Sequence, residues 1–272
     1  MNKKLLLLIS FLPFQFSLLA SNDPFTGGAR SLGSGSCAIT ISDPYSVLNN
    51  QAAMAFQKEL SFSLFAEQRY LQKELGYYAA GFTLPVKNGA FGLAVNYNGF
   101  DLYNEKKIGL AYARLFSQKV SGGIQIDYLS TAVSEYGTST AFTVEAGLMV
   151  KVSAKLSTAA HVYNPVAIKS GFTDEKIPTL LKLGLSYEAG KKILLLTEAE
   201  KDIDHAARFK AGVEYQIADV LHLRGGVATN PSQYSLGAGI RVKDLKIDFA
   251  ASYHEVLGVT PAISLNYLFG KK

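Results

Sequence analysis

Four histidines, His161, His205, His222 and His254, are the side chains best suited to proton transfer or metal binding near neutral pH. They lie far apart, and no pair has the H-x-x-x-H spacing that turns two imidazoles toward one zinc ion. A serine or cysteine nucleophile needs a base within hydrogen-bond reach and a third group to orient that base. No such constellation is legible, so the chain reads as a non-enzyme that uses no cofactor and no metal. The stretch "GGARSLGSGS", residues 27–36, raises phosphate chemistry instead. A phosphate loop needs G-x-x-x-x-G-K-[ST] between a strand and a helix, so that backbone N–H groups and a lysine converge on the anion. Here no Lys or Thr follows the last glycine and no apolar strand precedes the first, which rules out a nucleotide site.

The elements that could position such groups begin after an export signal. Lys3 and Lys4 precede an apolar run, Leu5 to Leu19, broken by Pro13 and Gln15, and Ala20 offers a small residue for cleavage. Residues 1–20 therefore read as a Sec-type signal peptide, too short and interrupted for a spanning helix. The one cysteine, Cys37, lies well past that run and excludes both a lipid-anchored start and an intrachain disulfide. Beyond the signal no stretch approaches eighteen apolar residues, so helical spans are excluded. Yet 48% of the chain is hydrophobic and the mean hydropathy is +0.12. The formal charge of +5 is mild and its Lys and Arg residues are scattered, which excludes a nucleic-acid partner. Much apolar surface has to be buried somewhere other than in membrane helices.

The period of the pattern says where. In "YSLGAGIRV", Tyr234, Leu236, Ala238, Ile240 and Val242 share one face, while Ser235, Gly237, Gly239 and Arg241 share the other. "GAFGLAVNY", "RFKAGVEYQI" and "LKIDFAASYHE" alternate in the same way, the signature of strands whose successive side chains point to opposite faces. About fourteen such segments follow Leu60, at roughly fifteen residues per strand and connection, which leaves strands of about ten residues, the length that crosses a bilayer at a tilt. Short turns such as Lys87-Asn88-Gly89 and Lys243-Asp244 alternate with longer links, Asn98 to Lys106, Thr131 to Thr138 and Asn164 to Ile177 among them. That sorting predicts an all-β, transmembrane antiparallel barrel in the outer membrane of a Gram-negative bacterium. The short rim and both barrel termini would face the periplasm, and outer-membrane lipid would surround the wall. The 15 Tyr and 16 Phe supply interfacial girdles in a chain without Trp. By parity the inner face carries Glu145, Glu198, Lys210, Glu214, Arg224, Arg241 and Asp248, charges that a lumen tolerates and lipid does not.

The segment before the first strand has another texture. Asp43 can cap a helix, Pro44 suits its first turn, and Tyr45 to Phe56 contains no breaker, so a glycine-rich loop plus one short helix is expected. Starting at the periplasmic mouth, this segment could enter the lumen and close it. The division is then residues 1–20 signal, 21–59 hatch and 60–272 barrel. "GGARSLGSGSCAITISDPYSVLNNQAAMA" resembles the N-terminal signature of the long-chain fatty-acid transporter (FadL) superfamily and of the PorV/PorQ proteins of Bacteroidetes. Gly28, Arg30, Gly33, Gly35, Ala38 and Asp43 fit its first part, and Asn50 to Ala55 stands where N-P-A-G-L-A would, with Gln51 for the proline and Ala53 for the glycine. The resemblance implies a fourteen-stranded barrel with a lumenal hatch. The modest length favours the PorV/PorQ branch, which implies an adaptor in type IX-like secretion or cell-surface assembly, with translocon subunits or secreted proteins as partners. A FadL-like channel for a hydrophobic small molecule such as a fatty acid is the alternative, and a structural or porin-like barrel the next. Asp43, Asn49 and Asn50 are expected to tie the hatch to lumenal Arg224 or Arg241.

Overall fold

A computed structural model describes residues 25–169 and 176–270. The expected signal peptide lies outside the described residues. The strands run β1 Leu60–Gln68, β2 Gly76–Val86, β3 Gly89–Phe100, β4 Tyr103–Leu115, β5 Val120–Val133, β6 Gly137–Lys151 and β7 Leu156–Tyr163. They continue as β8 Leu180–Glu188, β9 Ile193–Asp202, β10 Arg208–Ala218, β11 Leu221–Ala228, β12 Gln233–Val242, β13 Leu245–His254 and β14 Gly258–Phe269. Each pairs antiparallel with its sequence neighbours, and β1 pairs with β14, with Leu60 opposite Phe269, so the sheet closes into a fourteen-stranded barrel. Closure matters because a hydrocarbon solvent cannot satisfy the N–H and C=O groups of an open edge.

Strand β4 carries the reason for the membrane placement on one face. Its outward residues read Lys106, Ile108, Leu110, Tyr112 and Arg114, all exposed. At the usual strand rise, Lys106 and Arg114 stand about 27 Å apart along the strand, which brackets an apolar band between two charged limits. Neighbouring strands repeat the band. Phe91 and Tyr112 pair across β3 and β4 near the short-turn rim, and Tyr78 and Tyr97 pair across β2 and β3 near the opposite rim. Tyr128 with Phe142 and Tyr234 with Tyr253 belong to that second level. Between the two levels the wall presents aliphatic residues such as Leu93, Ile124, Leu183 and Leu185 to the outside. Two aromatic belts around an aliphatic zone are what a bilayer selects.

The expected alternation of short and long connections holds only in part, because several links on the longer side are shorter than their polarity suggested. Asp101 and Leu102 alone join β3 to β4, and Ser134 to Tyr136 join β5 to β6. The ladder simply continues through polar residues above the apolar band, where both faces meet water and alternation in hydropathy fades. Of the longer link from β7 to β8, the described ends fold inward: Ile177 is buried with Leu129, Tyr163 and Leu180, and the Asn164 side-chain amide donates to the Ile177 carbonyl at 2.8 Å.

A lysine at Leu110, the middle of the outward band, should destabilise the barrel in lipid vesicles by about 2–4 kcal/mol, whereas a lysine at Asn104, near the loop rim, should cost close to nothing. Denaturant unfolding into and out of vesicles measures both. Equal costs would remove the assigned bilayer depth.

Candidate functional site: a hatch inside the barrel

The segment from Phe25 to Glu59, here termed the hatch, fills the lumen. It consists of α1 (Ala29–Gly33), α2 (Ser46–Asn49) and α3 (Gln51–Met54) joined by tight turns, and nearly all of it between Gly27 and Ala55 is buried. Its path differs from the expected one. Phe25 stacks edge-on against Tyr77 and lies under the Arg69 guanidinium, in the loop-side half of the lumen. The chain then descends and leaves at the short-turn rim, through Phe56 to Glu59, into β1. The single expected helix is split because Asn50 adopts an extended conformation. Its side chain accepts the Ala52 N–H at 3.1 Å and donates to the Ile39 carbonyl at 2.8 Å, replacing the lost helical bonds with local ones.

The wall makes room for this backbone with glycine. On β6, β10, β11 and β12 the inward positions nearest the hatch are Gly147, Gly212, Gly226 and Gly237, and a Cβ at each would run into Asn50, Ser34, Gly35 and Gly33 respectively. Gly123 on β5 abuts the Gln51–Ala52 backbone, and Gly92 on β3 abuts Val47 and Met54. Contacts that reach so many strands around the circumference place the hatch across the whole bore. Hatch glycines complement them: Gly28 sits at φ 95° beneath the Tyr45 ring, and Gly35 at φ 70° faces the Ala211 and Val227 backbone, both conformations that a side chain disfavours.

Three charged clusters hold the hatch. In the first, Arg30 grips Glu214 with two parallel bonds, Nε to Oε2 at 2.9 Å and Nη2 to Oε1 at 2.8 Å, and its Nη1 donates to Asp43 at 3.3 Å. Such a bidentate fork is the strong form of the pair. Burial works against the Arg30 charge, but the Glu214 and Asp43 carboxylates outweigh it and raise the guanidinium above its usual range. Glu214 also accepts Arg224 Nε at 2.5 Å, and Arg224 Nη1 lies 2.8 Å from Asp248. Glu214 and Arg224 are direct cross-strand partners on β10 and β11. In the second cluster, Glu198 accepts the backbone N–H groups of Ala38 and Ile39, at 2.9 and 3.2 Å, and the ammonium of Lys210, its cross-strand partner, at 2.9 Å. Lys210 continues to Glu200 at 2.8 Å. In the third, the Gln51 amide donates to Glu145 Oε2 at 2.8 Å, with His161 Nε2 3.0 Å from the same oxygen, while Lys107 donates to Oε1 at 2.6 Å. Neutral bonds add to these: Ser235 and Ser264 accept from Gly35 and Ala29, and the Tyr45 hydroxyl donates to the Leu64 carbonyl.

No family model matches the chain, and no curated protein sequence matches it. Solved structures do. The toluene transporter TbuX of Ralstonia pickettii superposes with a TM-score of 0.72, covering 90% of this chain and 98% of its own at 14% identity. A FadL homologue of Pseudomonas aeruginosa gives 0.67 over 89% of this chain and 98% of its own, also at 14% identity. The monoaromatic hydrocarbon channel CymD gives 0.69 over 89% and 97%, at 12% identity. The chain has the FadL-type fold.

Within that FadL-type fold the sequence-derived residues separate by role. Glu145, Glu198, Lys210, Glu214, Arg224 and Asp248 are buried on the inner wall. Arg241 has inward parity but stands at the short-turn end of β12, exposed, and pairs with nothing on the hatch. The expected ties from Asp43, Asn49 and Asn50 to Arg224 or Arg241 are not formed. Asp43 meets Arg30, Asn49 bonds the Gly27 backbone at 2.8 and 2.9 Å, and Asn50 bonds Ile39, so these three brace the hatch against itself. The cross-lumen ties come instead from Arg30, from Gln51 and from backbone N–H groups. Arg30 was visible within the glycine motif; Gln51 and the Ala38 and Ile39 N–H groups carried no signal in residue type. His161 joins the Glu145 cluster, while His254 accepts from the Val256 and Leu257 N–H groups and serves a turn.

Cys37 reports on the hatch. It is buried beside Leu196, and burial, helped by the Glu198 charge, pushes its thiol up to about 12. Maleimide should therefore leave folded protein unlabelled at pH 7, and raising the pH to 9 should not start the reaction. Arg30→Ala removes one partner of a buried pair, a loss on the order of 3 kcal/mol from hatch docking. It should raise both Cys37 labelling and single-channel conductance, and Arg30→Lys should restore part of the difference. Gly226→Val should have the same effect by steric exclusion. Conductance and labelling that stay at wild-type levels in both variants would mean that the hatch does not close the bore.

Proposed function

We propose that the chain is an outer-membrane channel for small apolar molecules, closed at rest by its own N-terminal hatch, with the short-turn rim toward the periplasm. The observation that carries the reading is the hatch-filled bore of a FadL-type barrel. An open porin-like pore does not fit a lumen occupied from wall to wall. One side of the bore is also apolar: Phe25, Tyr45, Phe65 and Tyr77 form a chain of edge-on aromatic contacts behind β1 and β2, backed by Ala79, Ala250 and Ala262. A solute without charge would travel along that side, while the ion-pair clusters hold the hatch from the other. Toluene, the substrate named for TbuX, is the first compound to try.

The second reading, an adaptor for protein secretion or surface assembly, draws on the N-terminal signature from Gly28 to Ala55. It predicts stable protein partners at the outer loops, and a native pull-down in mild detergent separates the two.

Cells of a Gram-negative host that display the barrel should take up labelled toluene several-fold faster than cells displaying an unrelated barrel of similar abundance, and Arg30→Ala should raise the rate further. Uptake at the control rate, together with co-purifying secretion subunits or secreted proteins, would replace the channel by the adaptor.

A further inference from the structure

At the short-turn rim a hollow of about 220 Å³ opens between the exit of the hatch and the hairpin of β12 and β13. At ~30 Å³ per water molecule it has room for about seven waters, or for one compact organic molecule of similar bulk. Its lining divides by chemistry. Pro44, Phe56, Leu245 and Leu268 supply apolar surface. Lys58, Arg241 and Lys243 supply positive charge, and among the described residues none of the three lies within ion-pair distance of a carboxylate. Lys246 adds a fourth cation, only loosely held, 3.7 Å from an Asp248 oxygen that Arg224 already approaches at 2.8 Å. Asp43, Glu59 and Asp244 also line the hollow, with Asp43 committed to Arg30, so the cations, Arg30 included, outnumber the carboxylates.

A second observation comes from Asn266, directly across the ladder from Lys246. Its side chain is 4% exposed, lines the hollow, and has an Oδ1 with no hydrogen-bond partner. A buried polar atom without a partner is costly, and an amide can present either oxygen or NH2 to whatever fills the space. Cations on the rim and an apolar floor describe an amphipathic anion, and the Asn266 amide, turned to present its NH2, can donate to it.

We propose that this hollow binds a small carboxylate with an apolar body, of the size of benzoate, its carboxylate held by Arg241, Lys243 and Lys246 and its ring against Phe56 and Leu268. Charge-assisted bonds from several cations fix the anion, and the apolar residues select against acetate-like ions. The site stands whether or not the barrel conducts toluene, because it uses neither the aromatic side of the bore nor any movement of the hatch.

The test is fluorine NMR of 4-fluorobenzoate titrated with the full-length barrel in a zwitterionic detergent, with 4-fluorobenzyl alcohol as the neutral counterpart. Saturable broadening is expected for the acid and not for the alcohol. R241A/K243A, changed only at exposed positions and checked for intact folding by heat-modifiable gel migration, should bind the acid at least tenfold more weakly, and Asn266→Leu severalfold more weakly. Absence of saturation in the wild type, equal broadening by acid and alcohol, or unchanged binding in R241A/K243A would each overturn the site.

Discussion

The closed ladder of fourteen strands is the constraint from which the rest follows. A bilayer leaves no unpaired strand edge affordable, so the sheet has to join β1 to β14. A barrel of about eight strands has an interior that side chains alone can fill, and a wider one does not. Fourteen strands thus create a bore that must stay open to water or be filled by more chain. The hatch fills it, and the wall is written around the hatch: glycine at inward positions where its backbone passes, serine where its N–H groups need an acceptor, and carboxylates where it presents Arg30 or a pair of free amides. Two faces of every strand therefore answer to different solvents, lipid outside and folded polypeptide inside.

The same logic explains why the inner charges come in cross-strand pairs. Glu214 faces Arg224, and Glu198 faces Lys210, so each carboxylate is partly neutralised by the wall before the hatch arrives. A lone buried carboxylate would be costly, whereas a paired one keeps lone pairs free for a further donor. Glu214 uses that capacity for Arg30 and Glu198 uses it for two backbone N–H groups. The wall is satisfied enough to fold and unsatisfied enough to hold a guest.

Much of this was legible in the sequence, because alternation with period two is a backbone property that survives in any barrel. The strand rhythm from Leu60 onward and the inward parity of Glu145, Glu198 and Glu214 follow from it, while the turn before β3 falls at Lys87-Asn88, one residue earlier than the Asn-Gly pair suggests. Loop lengths are hidden in the sequence where polar residues continue a ladder above the lipid, as between Phe100 and Tyr103. Parity placed Arg241 inward, but parity says nothing of height, and at the rim an inward side chain meets solvent. The helix expected from Asp43 to Phe56 was split by Asn50, whose amide competes with the backbone for its own hydrogen bonds. The pairing of Arg30 with Glu214 spans a separation in the chain that no local pattern reports.

The buried part of the hatch runs into β1 through Phe56 to Glu59. If the proposed channel opens by unlatching this piece, the tether holds it at a local concentration on the order of millimolar around its own binding site. Reclosure is then a first-order event that needs no second protein and no energy source. On that reading the open time is set by the contacts that hold the hatch, the Arg30, Glu198 and Glu145 clusters among them.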